Sequence, residues 1–510
     1  MNKKIIKIIG FLVLAFSVNS CDDYLDITKE GEQSSENYFN SQQDYEDALI
    51  GVYDLLGTNY LNHIIGEIAS DNSLAGGERP DDVTDWQQID DMIHTPDNNA
   101  LRNIWKWMYA GISRANYIIE FKDKVDFDRK TELLAENLFL RSYYYFELVK
   151  FFGDVPLFID GRISVAKAQA IDRAPKAEVY AQIEADLTEA INGLTWNASQ
   201  PGRATKGAAL ALLGKVYLYQ EKYDEAANKF NQVIGKYQLE SDFSTIFLNS
   251  NENNNESVFE IQYSIGVEGG NYGQLEYSEG NVAAGFMSPR FTGEKSNWAP
   301  YADGNTFSTP VQELVDQYDA ADTRLNGTIF DMEAFVQANP NVTFDERNEY
   351  TGYYNFKYMV YDESNIADKR ITHGNNYRVI RYADVLLMAA EANLLATTKK
   401  DNPQDLLDQV RDRAFGDTNH RVPANINNIL QERRLELAGE GHRFFDLVRT
   451  GKAKEEIENN VDVTSKGTEV SKTFIIGKNE VFPIPRIEIE LAGNRWCQNK
   501  GYATSTCSTN

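Results

Sequence analysis

Cysteine and histidine are scarce, with three Cys and five His in 510 residues. So few ligand-type side chains leave little material for a metal centre, and none is expected. Signatures of catalytic or cofactor chemistry are missing as well. There is no G-x-S-x-G elbow, no H-E-x-x-H pair, no phosphate-binding glycine loop and no EF-hand spacing. Basic residues are outnumbered, 50 Lys and Arg against 77 Asp and Glu, for a net charge of −27. Such a surface repels phosphate backbones and no basic stripe offsets it, which argues against nucleic acid as a partner. Polyanionic ligands are disfavoured for the same reason unless a local basic pocket overrides the field, so neutral ligands fit better. The apolar run from Ile8 to Val18 is too short to cross a bilayer core of ~30 Å, which takes roughly 20 helical residues.

That short run has a different use. Lys3, Lys4 and Lys7 precede it and Val18-Asn19-Ser20 lead from it into Cys21, the layout of a cleaved export signal over residues 1–20. A Cys after a small residue at this point resembles a bacterial lipobox, so Cys21 is the expected lipid attachment site. Asp22 and Asp23 follow, similar to a surface-export signal of lipoproteins. Loss of the signal lysines makes the mature charge −30. Cys497 and Cys507 remain, ten apart in a polar tail. In an oxidising compartment they favour a disulfide, worth roughly 2–3 kcal/mol by loop-closure entropy. A zinc site would need further His or Cys close by, and the tail has none.

Aromatics are plentiful at 12% of the chain, with 28 Tyr, as in a helical scaffold packed through tyrosine. Helical spacing appears over Tyr45–Leu56, from Leu101 to Ile119 and from Thr131 to Phe151, the last stopped by Gly153 with Pro156 beyond. Residues 66–100 lose the period, and Asp71, Asn72, Gly76, Gly77 and Pro80 mark a long loop. Leu213-Gly214, Tyr217, Tyr223, Ala226 and Phe230 match the spacing of a tetratricopeptide repeat. Gly214 and Ala226 let two helices approach closely while Tyr217 and Phe230 fill the groove. Further helix pairs are expected at 132–150 with 176–193 and at 381–396 with 404–415, followed by a helical stretch over 425–439. One repeat cannot bury its own face, so the fold class is mainly α, a curved tetratricopeptide-like array. The scaffold covers about 40–245 and 376–450. A loop-rich binding region with short strands, such as 257–263, occupies about 66–100 and 245–375. Residues 21–510 form a single domain in this reading.

Acid pairs such as Glu440 with Asp446 are cheap in so acidic a chain, and a solvated face or structural ion pairing explains them better than glycoside hydrolysis. The same holds for Glu432-Arg433-Arg434-Leu435-Glu436. What remains is aromatic residues placed in loops. Trp86 lies in the 66–100 loop, and Trp298 and Tyr301 lie in the irregular middle with Tyr272 and Tyr277 nearby. A sugar ring needs a flat apolar platform plus hydrogen-bonding groups at its rim. Trp86, Trp298 and Tyr301 beside Asp71 and Asn72 supply both and form the candidate ligand site. The bland alternative is that each Trp plugs a loop onto the scaffold.

Several segments together resemble the SusD/RagB family of outer-membrane nutrient-binding lipoproteins. They include Cys21-Asp22-Asp23-Tyr24-Leu25-Asp26, Phe139-Leu140-Arg141 through Tyr145-Phe146, and Phe152-Gly153-Asp154-Val155-Pro156-Leu157. Arg381-Tyr382-Ala383-Asp384 and Glu432-Arg433-Arg434 through Gly441-His442-Arg443-Phe444-Phe445-Asp446 continue the series, and Phe482-Pro483-Ile484-Pro485 closes it. Thr309-Pro310, Glu313-Leu314-Val315 and Asp322-Thr323-Arg324 resemble the segment after a family binding-loop aromatic, which favours Trp298. The resemblance implies a non-catalytic, cofactor-free protein held in the outer membrane by its N-terminal lipid. It further implies a glycan ligand, captured for a SusC-like TonB-dependent transporter. A structural or assembly lipoprotein that holds a protein partner with its helices is the alternative, and a surface glycosidase comes third.

Overall fold

A computed structural model of the chain describes residues 38–265, 272–361, 370–459 and 462–502. The export segment, Cys21 and Cys507 lie outside them. Cys497 is disulfide-bonded.

Among the described residues, helices carry the architecture. Helix α1 (Gln42–Asp54) starts at a capping box, Ser41 accepting from the Asp44 backbone while the Asp44 carboxylate accepts in return. Helix α2 (Tyr60–Ile68) is buried throughout and feeds strand β1 (Ser73–Gly76). A short helix α3 (Thr84–Asp90) precedes α4 (Asn99–Glu120), which is capped by Asn98. Helix α5 (Lys130–Phe152) ends at Gly153, whose φ of 71° suits a residue without a side chain. It packs on α4 and on α6 (Lys176–Gly193), as the expected pairing has it. Helix α5 also explains much of the tyrosine. The buried Tyr143, Tyr144 and Tyr145 hydroxyls donate to Asn59 Oδ1, the Val52 carbonyl and the Phe158 carbonyl at 2.6–2.9 Å, leaving each ring free to pack apolar surface.

The expected repeat is present as α7 (Lys206–Leu218) and α8 (Tyr223–Val233). A Cβ on Gly214 would stand 2.5 Å from the Phe230 ring, so the glycine is required by a close helix approach. Strand β2 (Ser257–Ile261) opens the irregular middle, followed by β3 (Phe307–Pro310) and β4 (Tyr377–Arg381). Then come α9 (Tyr382–Leu395), α10 (Pro403–Phe415, with Pro at its start) and α11 (Ile426–Leu437). Every strand pair among the described residues is a two-stranded antiparallel sheet, notably β1 with β3 and β2 with β4. One hydrophobic cluster runs through α1, the tetratricopeptide-like helices and α9, and a second gathers Phe291, Trp298, Phe330 and Tyr354 in the middle region.

The Glu432–Glu436 run is a buried ionic lattice rather than a solvated face. Arg324, fully buried, reaches Asp322, Glu432 and Glu436 at 2.6–2.9 Å. Arg381 bridges Glu256, Glu436 and Glu440, and Lys357 adds a 2.7 Å contact to Glu440. Asp446 pairs with Arg433 and Arg449. Glu440 and Asp446 are thus taken up by cations, which hold each carboxyl down to about 2 against the pull of burial.

Candidate functional site

The 66–100 segment is more ordered than its composition suggests. Gly76 and Gly77 adopt φ of 70° and 96°, and a Cβ on either would strike the Thr306 carbonyl or the Phe307 ring. Strand β1 therefore lies flush on β3, with Gly76 opposite Phe307. The chain then turns at Val83, which holds a left-handed conformation at φ 45° and ψ 58°. That region is costly for a β-branched residue, about 1–3 kcal/mol. Trp86 follows one turn later, on α3.

A cleft of about 500 Å³ opens here. Trp86, Phe286 and Phe307 form its apolar wall, with Trp86 set edge-on to the two Phe rings at 5.2 and 4.8 Å. Tyr272 stands at the mouth, 48% exposed and perpendicular to Phe286. Polar groups surround the rings: Glu78, Asp82 and Asp85 on the α3 side, Asn99 and Asn103 from α4, and Arg290, Asn305 and Arg370 opposite. The volume falls in the range of small-molecule sites, and an apolar wall with convergent polar groups is their usual make-up.

The α3 side is braced from behind. Asp90 Oδ2 accepts from the Ala75 N–H at 2.6 Å, and Gln87 donates to the Gly76 carbonyl at 2.6 Å. The Lys472 ammonium donates to the carbonyls of Ile68, Ser70 and Ser73 and lies 2.5 Å from Asp90. Glu349 accepts from the Gly76 N–H at 2.9 Å. Burial, then the neighbouring Asp90, pushes the Glu349 carboxyl up to about 8.

Of the sequence-predicted site residues, only Trp86 lines this cleft, and it sits on a helix with its ring 4% exposed rather than in an open loop. Asp71 and Asn72 are corrections. Asp71 is 1% exposed and gripped by Arg443 through two 2.7 Å bonds and by Arg434 at 3.1 Å. The Asn72 amide is spent on Arg434 and Glu67. Both fasten α11 and the following segment to α2 and β1, so their oxygens are not offered to a ligand. Trp298 is also displaced from its expected role. It is 6% exposed and stacked on Phe291 at 5.4 Å within the second cluster. Tyr301 packs in the same cluster against Phe330 and Tyr361. Neither lines the cleft. The residues that sequence reasoning passed over are Phe286, Phe307, Asn305, Arg290 and Arg370. They approach Trp86 only because β1 pairs with β3, more than 200 positions away, a pairing that no local signal marks.

Comparison with known proteins places the fold in a family. The SusD family profile matches residues 245–502, just over half the chain. The chain belongs to the SusD family. A second profile, described as "Starch-binding associating with outer membrane", matches residues 23–218. SusD-like protein P38 of Formosa agariphila is 28% identical over 496 residues, covering 88% of this chain and 92% of that relative. A laminarin-binding SusD-like protein shares 32% identity with a TM-score of 0.80, over 91% of this chain and all of that one. Surface glycan-binding protein A from Bacteroides thetaiotaomicron, solved in complex with laminarihexaose, shares 26% identity with a TM-score of 0.80, over 90% of this chain and 99% of that one. The mainly α, tetratricopeptide-like fold expected of this SusD-like chain is therefore the fold it has.

Proposed function

We propose that this protein is an outer-membrane lipoprotein that binds oligosaccharide and hands it to a TonB-dependent transporter. The observation that carries the reading is the cleft beside Trp86, where aromatic rings and a ring of amides, carboxylates and guanidinium groups converge in about 500 Å³. Sugars bind by presenting C–H faces to rings and hydroxyls to such a rim. The named activities of the laminarin-binding and laminarihexaose-bound relatives support the ligand class. Tyr272, at the mouth, is the stacking face, and Trp86 shapes the wall beneath it. Asn99, Asn103 and Asn305 are the hydroxyl partners. The working part is binding alone, without bond cleavage. Anchoring rests on Cys21, which acyl chains would hold in the membrane, and the partner assignment rests on the family.

Affinity electrophoresis against a panel of polysaccharides, laminarin included, tests the ligand. At least one polysaccharide should retard the protein, without release of reducing sugar on prolonged incubation. A panel with no retarded lane, or one with products, would overturn the reading. Cys21→Ala should move the protein from the membrane to the soluble fraction.

A further inference from the structure

The cleft carries charges of both signs. On the α3 rim the carboxylates already have partners: Asp85 accepts from the Asn99 N–H and amide at 3.0 and 3.3 Å, and Asp82 accepts from the Glu78 N–H at 3.0 Å. Glu78 lies 3.4 Å from Arg347. Across the cleft, two guanidinium groups approach the Asp303 carboxylate. Arg370 holds Asp303 at 2.5 Å, while Arg290 comes no nearer to it than 3.9 Å.

Arg290 is the under-compensated member. Its one hydrogen bond to a side chain goes to the Asn305 amide oxygen at 3.2 Å, and its Nε is buried without an acceptor. The Asn305 Nδ2 beside it is equally without one. Burial, the nearby Arg370 and then Arg347 hold the Arg290 pKa below its ordinary value, against the opposing pull of Asp303 and, more weakly, Glu78. A guanidinium carries five N–H donors and no acceptor, so Arg290 and Asn305 leave donors here without acceptor oxygens. A sugar hydroxyl would satisfy the geometry and leave the charge uncompensated. An anionic group satisfies both, in the planar two-point contact that guanidinium favours.

We infer that the Arg290–Arg370 end of the cleft receives an anionic oxygen group on the bound glycan, a uronate carboxylate or a sulfate ester. This rests on the glycan reading above and narrows it. It is the local exception to the chain's overall negative charge. The carboxylates on the opposite rim and the −27 of the whole chain disfavour a charge on every sugar, so the fitting ligand is sparsely substituted.

The test uses matched glycans that differ in charge alone. Glucuronoxylan oligosaccharides are compared with their carboxyl-reduced forms, and sulfated galactan oligosaccharides with their desulfated forms, with laminarihexaose as a neutral reference. Titration calorimetry of the full chain should show one acidic member bound at least tenfold more tightly than its neutralised partner. The preference should shrink as salt is raised and vanish in Arg290→Gln. The pair that shows it tells carboxylate from sulfate. If Arg290→Gln melts early, Arg370→Gln takes its place. Equal affinity within both pairs, binding of laminarihexaose alone, or a preference that survives both substitutions would overturn the inference and leave the glycan reading standing. Binding of no member would fall on the glycan reading itself, and this inference with it.

Discussion

At the residue scale, exposure separates ligand contacts from packing. Tyr272 offers its ring at the cleft mouth and contributes little to the core. Aromatic anchors typically supply ~2 kcal/mol or more at a binding hot spot, and ~1.4 kcal/mol is a factor of ten. Tyr272→Ala should therefore weaken oligosaccharide binding at least tenfold in calorimetric titration while leaving the melting temperature unchanged. Trp298 should behave in the opposite way. Its ring is stacked on Phe291 and enclosed by the second cluster, and removing a buried aromatic costs about 3–5 kcal/mol. Trp298→Ala should lower the denaturation midpoint clearly. An unchanged midpoint with lost binding would restore Trp298 as a platform. Asp71→Ala would take from Arg443 its buried partner, leaving a 3.5 Å contact to Glu456, and would leave Arg434 to Glu313 alone, a loss of up to about 3–5 kcal/mol, readable by urea denaturation.

Elements divide into those that local pattern reveals and those that long-range pairing creates. The repeat at α7 and α8 was legible because Gly214, Ala226 and Phe230 are fixed by the distance between two consecutive helices. Helices α4, α5, α9, α10 and α11 were legible through apolar period and, for α5, the end signals Gly153 and Pro156. Helix α3 was hidden, since seven residues in a Gly- and Asp-rich stretch show less than two turns of pattern. The Thr309-Pro310 to Arg324 block pointed to Trp298 for the wrong reason. Glu313 pairs with Arg434, and Arg324 with Glu432 and Glu436, so the block marks an attachment of the loop region to α11. The cleft itself was illegible, because its two walls meet through β1 and β3. For the repeat, Gly214→Leu should overpack the helix pair against Phe230 by about 1–3 kcal/mol, and an unchanged melting temperature would contradict the close approach.

At the scale of the whole molecule, buried charge sets the response to pH. His63, His94 and His442 are kept neutral mainly by burial, at about 4, 3 and 3. An unfolded histidine takes up its proton near 6.5, so each of the three costs stability as pH falls below that value. Glu440 and Asp446, held near 2 by their cations, contribute stability above their unfolded values that is lost as pH falls toward 2. Glu349 and Asp462, raised to about 8 and 7 mainly by burial, act in the opposite direction, losing stability as pH rises from the unfolded carboxyl range of about 4 up to those values. Below about pH 4.5 these two are largely protonated in both states and their effect is nearly spent. The melting temperature should therefore fall steeply from pH 4.5 to 3 and decline mildly as pH rises from about 6.5 to 8. A flat acid limb would contradict the buried ionic lattice.

The central claim is that oligosaccharide is held in the cleft between α3 and the Arg290–Phe307 wall. A crystal structure of the protein with the oligosaccharide that retards it most strongly tests this directly. The account predicts sugar rings against Tyr272 and Trp86, with hydroxyls on Asn99, Asn103 or Asn305. Sugar bound on another surface, with this cleft empty, would contradict it.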